Sequence, residues 1–285
     1  MWKLALPTND DAESNIVIAF TYKNGDKKYP FTKKQVTRLL AYYDAYEVAK
    51  GAADETLDCR EIKPKLIKAL TAAYSEVQEN GRLKKLRDRI FLNAKTCPCC
   101  GIVTPFVLDH HLPISSYQAF AIYSSNLIPY CQTCNNKKKI TTGKDPSKRF
   151  VHAYYDEIPN HVRFLFCDVS IVNNGLVISF RIEKIPELSD QLFSQISFQI
   201  NKVELDKRLN RELNLHLSGI SSYLKSDFEN GGKNAVRTGL LKSAETQKQL
   251  HGINHWRHAI MLALAENDEF CDGGFYVTLG LVEPV

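Results

Sequence analysis

Four cysteines in two closely spaced pairs are the clearest chemical feature of the sequence. Cys97 and Cys100 form the first Cys-x-x-Cys pair, and Cys131 and Cys134 form the second. Structural zinc sites use four tetrahedral ligands, and two such pairs supply four thiolates without leaving a coordination position open. The spacing therefore predicts a structural zinc site. Cys99 lies inside the first pair and is expected to be a bystander.

A second group of residues lies between and just after the two pairs, and zinc binding does not require it. The group comprises Asp109, His110, Asn126 and Asn135. Hydrolysis of a phosphodiester needs an activated water, neutralised charge on the phosphate and help for the leaving oxygen. A neutral imidazole can take up a proton near pH 7, and carboxylate and amide oxygens suit Mg²⁺. We therefore interpret His110 as a general base, and Asp109 and Asn135 as ligands of a hard divalent ion.

The order of these residues resembles the signature of HNH endonucleases, the ββα-metal nucleases. Within about residues 93–145 the chain reads Cys-x-x-Cys, Asp-His-x-x-Pro, Asn and Cys-x-x-Cys-Asn. The resemblance implies that His110 is the general base and that Asp109 and Asn135 bind the catalytic ion. It implies that Asn126 pins the backbone across the ββ loop and so orients the base. It also implies Mg²⁺, with Mn²⁺ as a substitute, and products with 5′-phosphate and 3′-hydroxyl ends.

Each of these residues also has a purely structural interpretation. An Asp-His pair in a loop can be a surface hydrogen-bonding pair, and Asn126 can be an ordinary turn residue. Asn135 can be a residue of the first turn of a helix. Their combination between and beside four thiols favours the functional interpretation. His111 is extra to the pattern and either touches the phosphate or faces solvent.

Basic residues follow the second cysteine pair at high density and predict contact with a nucleic-acid backbone. The candidate contacts in this run are Lys137, Lys138 and Lys139, and the run continues through Lys144, Lys148 and Arg149; His111, between the two cysteine pairs, is a further candidate contact. Such a run more often follows phosphates than a base sequence. A second basic segment, residues 82–89, is either a solvated helix face or a phosphate-contacting helix.

The composition is that of an ordinary soluble globular protein. The 285 residues are 44% hydrophobic and 24% charged, and the net charge of +5 permits a nucleic-acid partner without requiring one. No apolar run is long enough to span a bilayer, and the N-terminus lacks an apolar signal core. We expect a cytoplasmic chain that does not associate with membranes. In that compartment eight cysteines are better explained as metal ligands and buried thiols than as disulfides.

Hydrophobic periodicity and turn signals predict the elements around this stretch. In the first part, a strand over 16–22, a turn at Lys23-Asn24-Gly25-Asp26 and a return strand over 27–31 precede helices near 33–50, 64–78 and 82–93. In the centre we expect strands over 102–108 and 127–129 and a helix over 132–140 that ends at Thr141-Thr142-Gly143. Beyond residue 150 we expect a hairpin over 162–182 and helices near 187–200, 201–226, 233–250 and 253–266. The aromatic residues Tyr117, Phe120, Tyr123 and Trp256 are predicted to fill cores rather than to bind a ligand.

The sequence therefore predicts an α+β fold in three segments. Residues 1–92 form a hairpin and a helical region, and residues 93–150 form a zinc-stapled ββα nuclease module. Residues 151–285 form a second hairpin and a helical region that serves target recognition, dimerisation or regulation.

The expected activity is Mg²⁺-dependent hydrolysis of double-stranded DNA. The expected assembly is a homodimer or a complex with a partner protein. A role in bacterial restriction, phage defence or a mobile element rests on analogy alone. Two alternatives remain: a non-catalytic zinc module that binds nucleic acid or a partner protein, and an RNA-cutting toxin.

Overall fold

The computed structural model describes residues 3–8, 10–141 and 145–281. These residues form helices and two small antiparallel sheets, which confirms the α+β class. They separate into two compact units. We call residues 3–157 together with 194–203 the N-terminal unit, and residues 158–193 together with 204–281 the C-terminal unit. Among the helices in the described ranges, none has the length and apolarity needed to cross a bilayer.

The three predicted segments do not coincide with these two units. The helices before residue 93 and the cysteine-rich stretch share one buried core, to which both Leu39 and Leu127 belong. Because neither part buries its apolar face alone, the two behave as one unit.

The four helices that begin the N-terminal unit are α1 (Ala12–Phe20), α2 (Lys33–Ala49), α3 (Pro64–Ala73) and α4 (Lys84–Leu92). The last three lie where the sequence predicts helices. Thr32 caps α2, because its side chain accepts the Gln35 N–H while the Gln35 side chain accepts the Thr32 N–H. This reciprocal arrangement satisfies two backbone donors that the helix itself cannot satisfy.

The strand predicted over residues 16–22 is wrong, because residues 16–20 belong to α1, which ends at Phe20. The Asp11 side chain accepts the Ser14 N–H at 2.9 Å and caps the helix. Ile16, Ala19 and Phe20 recur at helical spacing and are all buried. The β-branched residues that suggested a strand express a weak local preference, which burial of one helical face overrides.

The turn predicted after this segment is present, but no hairpin surrounds it among the described residues. The Tyr22 N–H donates to the Asp26 carbonyl at 2.7 Å, and Gly25 has a φ of 90°. Thr21 and Lys27 form only an isolated bridge.

The cysteine-rich stretch folds as a strand, a second antiparallel strand and a helix. These are β1 (Val107–His110), β2 (Leu127–Tyr130) and α5 (Gln132–Lys138). Strand β1 starts later than predicted and includes Asp109 and His110, which lie opposite Ile128 and Leu127. Helix α5 ends slightly earlier than predicted. Thr142, Gly143 and Lys144, which the sequence analysis named, lie outside the described residues.

The segment between β1 and β2 packs against α2. The predicted core role of Tyr117, Phe120 and Tyr123 is confirmed, because all three are buried. The rings of Tyr43 and Tyr123 stack with centroids 4.1 Å apart, and the Tyr46 ring lies 5.0 Å from that of Phe120. Helix α2 thus supports the loop that joins the two strands.

The C-terminal unit contains the predicted hairpin, formed by β3 (Leu165–Val172) and β4 (Gly175–Ile182). Asn173 and Asn174 both have positive φ, at 49° and 63°. Positive φ at both central residues is the requirement of a type I′ turn, which suits a two-residue hairpin loop.

Four further helices follow: α6 (Asp190–Lys202), α7 (Leu205–His251), α8 (Trp256–Glu266) and α9 (Phe275–Thr278). Helix α7 is broken at Gly231 and Gly232, whose backbone angles are not helical. In a straight helix Asp227 and Gly239 would lie about 18 Å apart, because twelve residues separate them. Instead, the Asp227 carboxylate occupies the space that a Cβ on Gly239 would need. The halves of α7 therefore fold back on each other, and the break lies between the helices predicted over 201–226 and 233–250. Trp256 is buried, as predicted.

Candidate functional site

The four cysteines of the two pairs lie together in the N-terminal unit. Their Sγ atoms are all within 4.8 Å of one another, and all four residues are buried. The Sγ atoms of Cys100 and Cys131 are 3.8 Å apart. Zinc at about 2.3 Å from each of four tetrahedral sulfurs would set them about 3.8 Å apart. The cluster can therefore hold a metal ion such as zinc, and Cys99 is not one of its members.

Backbone N–H groups point at two of these sulfurs. The Cys131 N–H donates to Cys97 Sγ at 3.3 Å, and the Cys134 N–H donates to Cys131 Sγ at 3.4 Å. Hydrogen bonds from the neighbouring thiols, first of all that of Cys100, hold the pKa of Cys131 well below its usual range. Burial raises the pKa of Cys97, and hydrogen bonds with the neighbouring thiols raise that of Cys134, so Cys131 is the cysteine of the four that most favours the thiolate, the form that binds metal.

His110 lies at the end of β1 with a fixed ring orientation. Its Nε2 is 2.9 Å from the Ala121 carbonyl oxygen in the loop between the strands. A carbonyl only accepts, so Nε2 carries the proton and Nδ1 holds the lone pair of the neutral ring. Only 6% of the side chain is exposed, and burial lowers the pKa of His110 to about 4. At neutral pH the ring is uncharged and can accept a proton at Nδ1.

Asp109 is paired with a buried lysine. Lys138 Nζ lies 3.0 Å from Asp109 Oδ2, and it also donates to the His110 carbonyl at 2.8 Å. The contact with Oδ2 is an ion pair without hydrogen-bond geometry. Burial raises the pKa of Asp109, and the Lys138 ammonium opposes this rise. Lys138 therefore joins the end of α5 to β1.

The structure corrects the placement of Lys138 among the candidate nucleic-acid contacts. Its side chain is 1% exposed, and its ammonium is engaged inside the protein. Lys139 is exposed and Lys137 is half-buried. Of the three lysines, Lys138 thus has an internal role.

His111 is also buried, which fits neither of its predicted alternatives. Its N–H donates to the Asn126 carbonyl at 2.8 Å, and its ring lies 4.0 Å from that of His152. Burial, and then the neighbouring His152, hold the pKa of His111 well below its usual range. Inside the protein, His111 can reach neither a phosphate on the surface nor bulk solvent.

Asn126 uses every hydrogen-bonding position of its side chain. Its Oδ1 accepts from the Leu112 N–H at 2.8 Å and from the Tyr46 hydroxyl at 3.0 Å. Its Nδ2 donates to the Leu112 carbonyl at 3.1 Å and to the Phe120 carbonyl at 3.3 Å. The residue is fully buried and ties together distant parts of the loop between β1 and β2.

Asn135 lies in the first turn of α5 and is half-buried. Among the described residues its side-chain amide has no hydrogen-bond partner. It precedes Lys138 by three residues, which places both on one face of the helix. Because Lys138 reaches Asp109, this face of α5 is turned toward β1. A carboxylate and an amide on facing elements are a donor set suited to a hard divalent ion.

The second basic segment is largely engaged within the protein. Arg82 and Arg87 each donate to a backbone carbonyl at 2.8 Å, those of Ile18 and Phe106. Lys84 pairs with Asp88, and Arg89 pairs with Asp10. These contacts favour the structural alternative for residues 82–89.

Two residues near the site carry no signal in the sequence. Tyr46 belongs to α2, and His152 follows the cysteine-rich stretch; their side chains meet at 3.0 Å. They are 106 residues apart, so no spacing rule links them. Only the buried position of Tyr46 on the predicted helix could have suggested an inward-facing hydroxyl.

Comparison with known proteins gives one partial similarity. No protein-family model matches the chain, and no solved structure matches it. The chain is similar to Protein ea31 of Escherichia phage lambda, with 32% identity over 72 residues. The match spans 25% of this chain and 24% of that protein's length. It therefore leaves the family of the chain open.

Proposed function

We propose that the chain is a metal-dependent endonuclease of the HNH type that cleaves DNA. The observation that carries this proposal is the fixed, neutral imidazole of His110, which follows Asp109 at the end of β1. The order of β1, β2 and α5 around the cysteine cluster supports the same proposal. A general base next to hard-ion ligands is the minimal set for phosphodiester hydrolysis.

His110 acts as the base in this proposal. Its Nδ1 takes the proton of the attacking water, while its Nε2 stays bonded to the Ala121 carbonyl. That carbonyl also stabilises the positive ring that results, because its oxygen carries partial negative charge. Since the pKa of His110 is about 4 in the resting protein, the base is unprotonated throughout the neutral range.

Asp109 and Asn135 would hold the catalytic Mg²⁺. When bound, such an ion neutralises charge on the phosphate and on the departing oxygen. Lys138 fixes the side of the Asp109 carboxylate that carries Oδ2. Oδ1 would then be the oxygen of Asp109 that is free of this ion pair and could bind a divalent ion.

The cysteine cluster has a structural role in this proposal. Cys97 and Cys100 precede β1, and Cys131 is the N-cap residue of α5. A zinc ion held by all four thiolates ties the start of the β1 segment to the start of the helix. It has no open coordination position, so the chemistry belongs to the neighbouring residues.

Cleavage of supercoiled plasmid tests the proposal directly. We expect nicked or linear plasmid with Mg²⁺, no cleavage with a chelator, and no cleavage by His110→Ala at unchanged zinc content. His161→Ala is the matched control, because His161 is an exposed histidine of the C-terminal unit. Cleavage that survives in His110→Ala would refute the proposed base. Transfer RNA in a parallel reaction distinguishes a DNA substrate from an RNA substrate.

One observation favours a second function, a non-catalytic zinc module that binds nucleic acid or a partner protein. The Asp109 carboxylate already has the Lys138 ammonium as its counter-ion, so it has less need of a divalent ion. This function predicts retention of DNA on a gel without cleavage under any divalent ion.

A further inference from the structure

Three buried polar side chains form a hydrogen-bonded network behind the loop that joins β1 to β2. The Tyr46 hydroxyl lies 3.0 Å from His152 Nε2 and 3.0 Å from Asn126 Oδ1. All three residues are buried, and neither contact uses a residue of the cysteine cluster. This network thus connects α2 and the segment after the cysteine-rich stretch to the loop between β1 and β2.

The geometry fixes the direction of each hydrogen bond. The Tyr154 N–H donates to His152 Nδ1 at 3.2 Å, so Nδ1 carries no proton and the neutral ring is protonated at Nε2. Nε2 therefore donates to the Tyr46 oxygen. The Tyr46 hydrogen is then directed to Asn126 Oδ1 at 3.0 Å, which is nearer than the other acceptor within reach, the Ser125 carbonyl at 3.4 Å. Asn126 Oδ1 accepts its second bond from the Leu112 N–H, and every member of the network has a partner in this arrangement.

Asn126, at the far end of this network, contacts the backbone that orients His110. Asn126 Nδ2 donates to the Phe120 carbonyl, and the next carbonyl along the chain, that of Ala121, accepts from His110 Nε2. Rotation of the Asn126 amide would therefore release the Phe120–Ala121 peptide, which directly precedes the Ala121 carbonyl that determines which nitrogen of His110 carries the proton. A buried network of this kind holds one geometry only while all of its members are paired.

The backbone at the end of α2 is shaped around the same two side chains. Gly51 has a φ of 69°, and a Cβ there would lie 2.7 Å from His152 Nε2 and 2.8 Å from the Tyr46 hydroxyl oxygen. Glycine is the residue that permits both this backbone angle and this close approach.

We propose that Tyr46 and His152 are positioning residues for the His110 base, acting through Asn126 and the Phe120–Ala121 backbone. The proposal rests on the proposed nuclease function. It assigns to α2, which lies outside the cysteine-rich stretch, a part in aligning the base.

The chain offers a matched pair of variants for the test. Tyr46→Phe and Tyr43→Phe each remove one hydroxyl from a buried tyrosine of α2 that packs on Phe120 and Tyr123. The Tyr43 hydroxyl has no hydrogen-bond partner within the described chain, whereas that of Tyr46 joins His152 to Asn126. We expect Tyr46→Phe to lower kcat for plasmid cleavage by about 10- to 100-fold. We expect its KM and zinc content to stay unchanged, and Tyr43→Phe to leave all three unchanged.

A second pair of variants removes the risk that one substitution simply unfolds the site. His152→Gln can place an amide N–H where ring Nε2 stands, and His152→Met cannot donate at all. We expect cleavage close to wild type in His152→Gln and a loss similar to that of Tyr46→Phe in His152→Met. Equal activity in the two variants would overturn the role of His152.

Nitrogen NMR of the histidine rings gives a readout that does not depend on cleavage. In the wild type we expect His110 as the single tautomer protonated at Nε2. In Tyr46→Phe we expect a mixture of tautomers, and in Tyr43→Phe no change. An unchanged His110 tautomer in Tyr46→Phe overturns the proposal, as does a fall in activity matched by a fall in the folded fraction. If the wild type cuts no nucleic acid, the proposed function fails, and the tautomer measurement alone decides whether His110 is positioned by Tyr46.

Discussion

The cysteine cluster and the His110 pocket, by which we mean Asp109, His110 and the side chains that hold them, are neighbours in the sequence. They are built in different ways. The cluster takes its four sulfurs from two local pairs, so local backbone turns present them. The pocket takes Asp109 and His110 from β1, but Lys138, Asn126 and Tyr46 hold those residues in place. The cluster is therefore specified by a motif, whereas the orientation of the base is specified by the packed core.

The largest expected effect comes from breaking the cluster. We expect Cys131→Ser to lose zinc and to unfold the N-terminal unit, because structural zinc binding contributes roughly 10–16 kcal/mol of folding free energy in small zinc domains. Zinc content and circular dichroism measure the two losses. Cys99→Ser is the control, since Cys99 is equally buried but outside the cluster, and it should keep its zinc. A folded Cys131→Ser protein with wild-type thermal stability would contradict the structural role of zinc.

Variants of the Asp109–Lys138 ion pair can distinguish an effect on stability from an effect on activity. Asp109→Asn leaves the buried Lys138 charge unpaired, which we expect to lower the free energy of unfolding by about 3–5 kcal/mol. It should also lower the cleavage rate about 10²-fold or more. In the double variant Asp109→Asn/Lys138→Met we expect stability to recover, but not cleavage. Recovery of both would show that Asp109 acts only through folding.

The buried histidines make the N-terminal unit sensitive to mild acid. Burial holds the pKa of His152 well below 6.5 and that of His110 at about 4, while both would titrate near 6.5 in the unfolded chain. The unfolded state therefore binds more protons below pH 6.5, so stability falls as the pH falls. Each such histidine contributes about 1.4 kcal/mol per pH unit between its two pKa values. Denaturant titration at pH 7 and 5.5, with zinc content measured at both, tests the slope, which should be shallower in His152→Gln.

The smallest expected effect is the difference in stability loss between alanine substitutions at two glycines with positive φ. Gly51 has a φ of 69° and packs against His152 and Tyr46, whereas Gly25 has a φ of 90° and open space around it. Gly25→Ala should lower stability by about 1 kcal/mol through backbone strain alone. Gly51→Ala adds a steric clash of about 1–3 kcal/mol and should also lower kcat. Equal stability losses with unchanged cleavage would mean that the His152–Tyr46 contact tolerates displacement.

Several features of the protein follow from local sequence. The Thr32 capping box, the Asn173-Asn174 turn and each of the two Cys-x-x-Cys pairs depend on residues a few positions apart, and the structure contains all of these features. Short-range hydrogen bonding and backbone preference suffice to specify such features, because few other conformations compete with them.

Other features were decided only by the tertiary structure. Residues 16–20 have strand-type composition but form a helix, because one helical face is buried in the shared core. Lys138 and His111 look like surface contacts in the sequence and are instead buried in the pocket. Tyr46 and His152 meet across 106 residues of chain. The sequence alone thus determined which groups could do chemistry, and the packed core determined how they are oriented, because burial and long-range hydrogen bonds exist only in the folded chain.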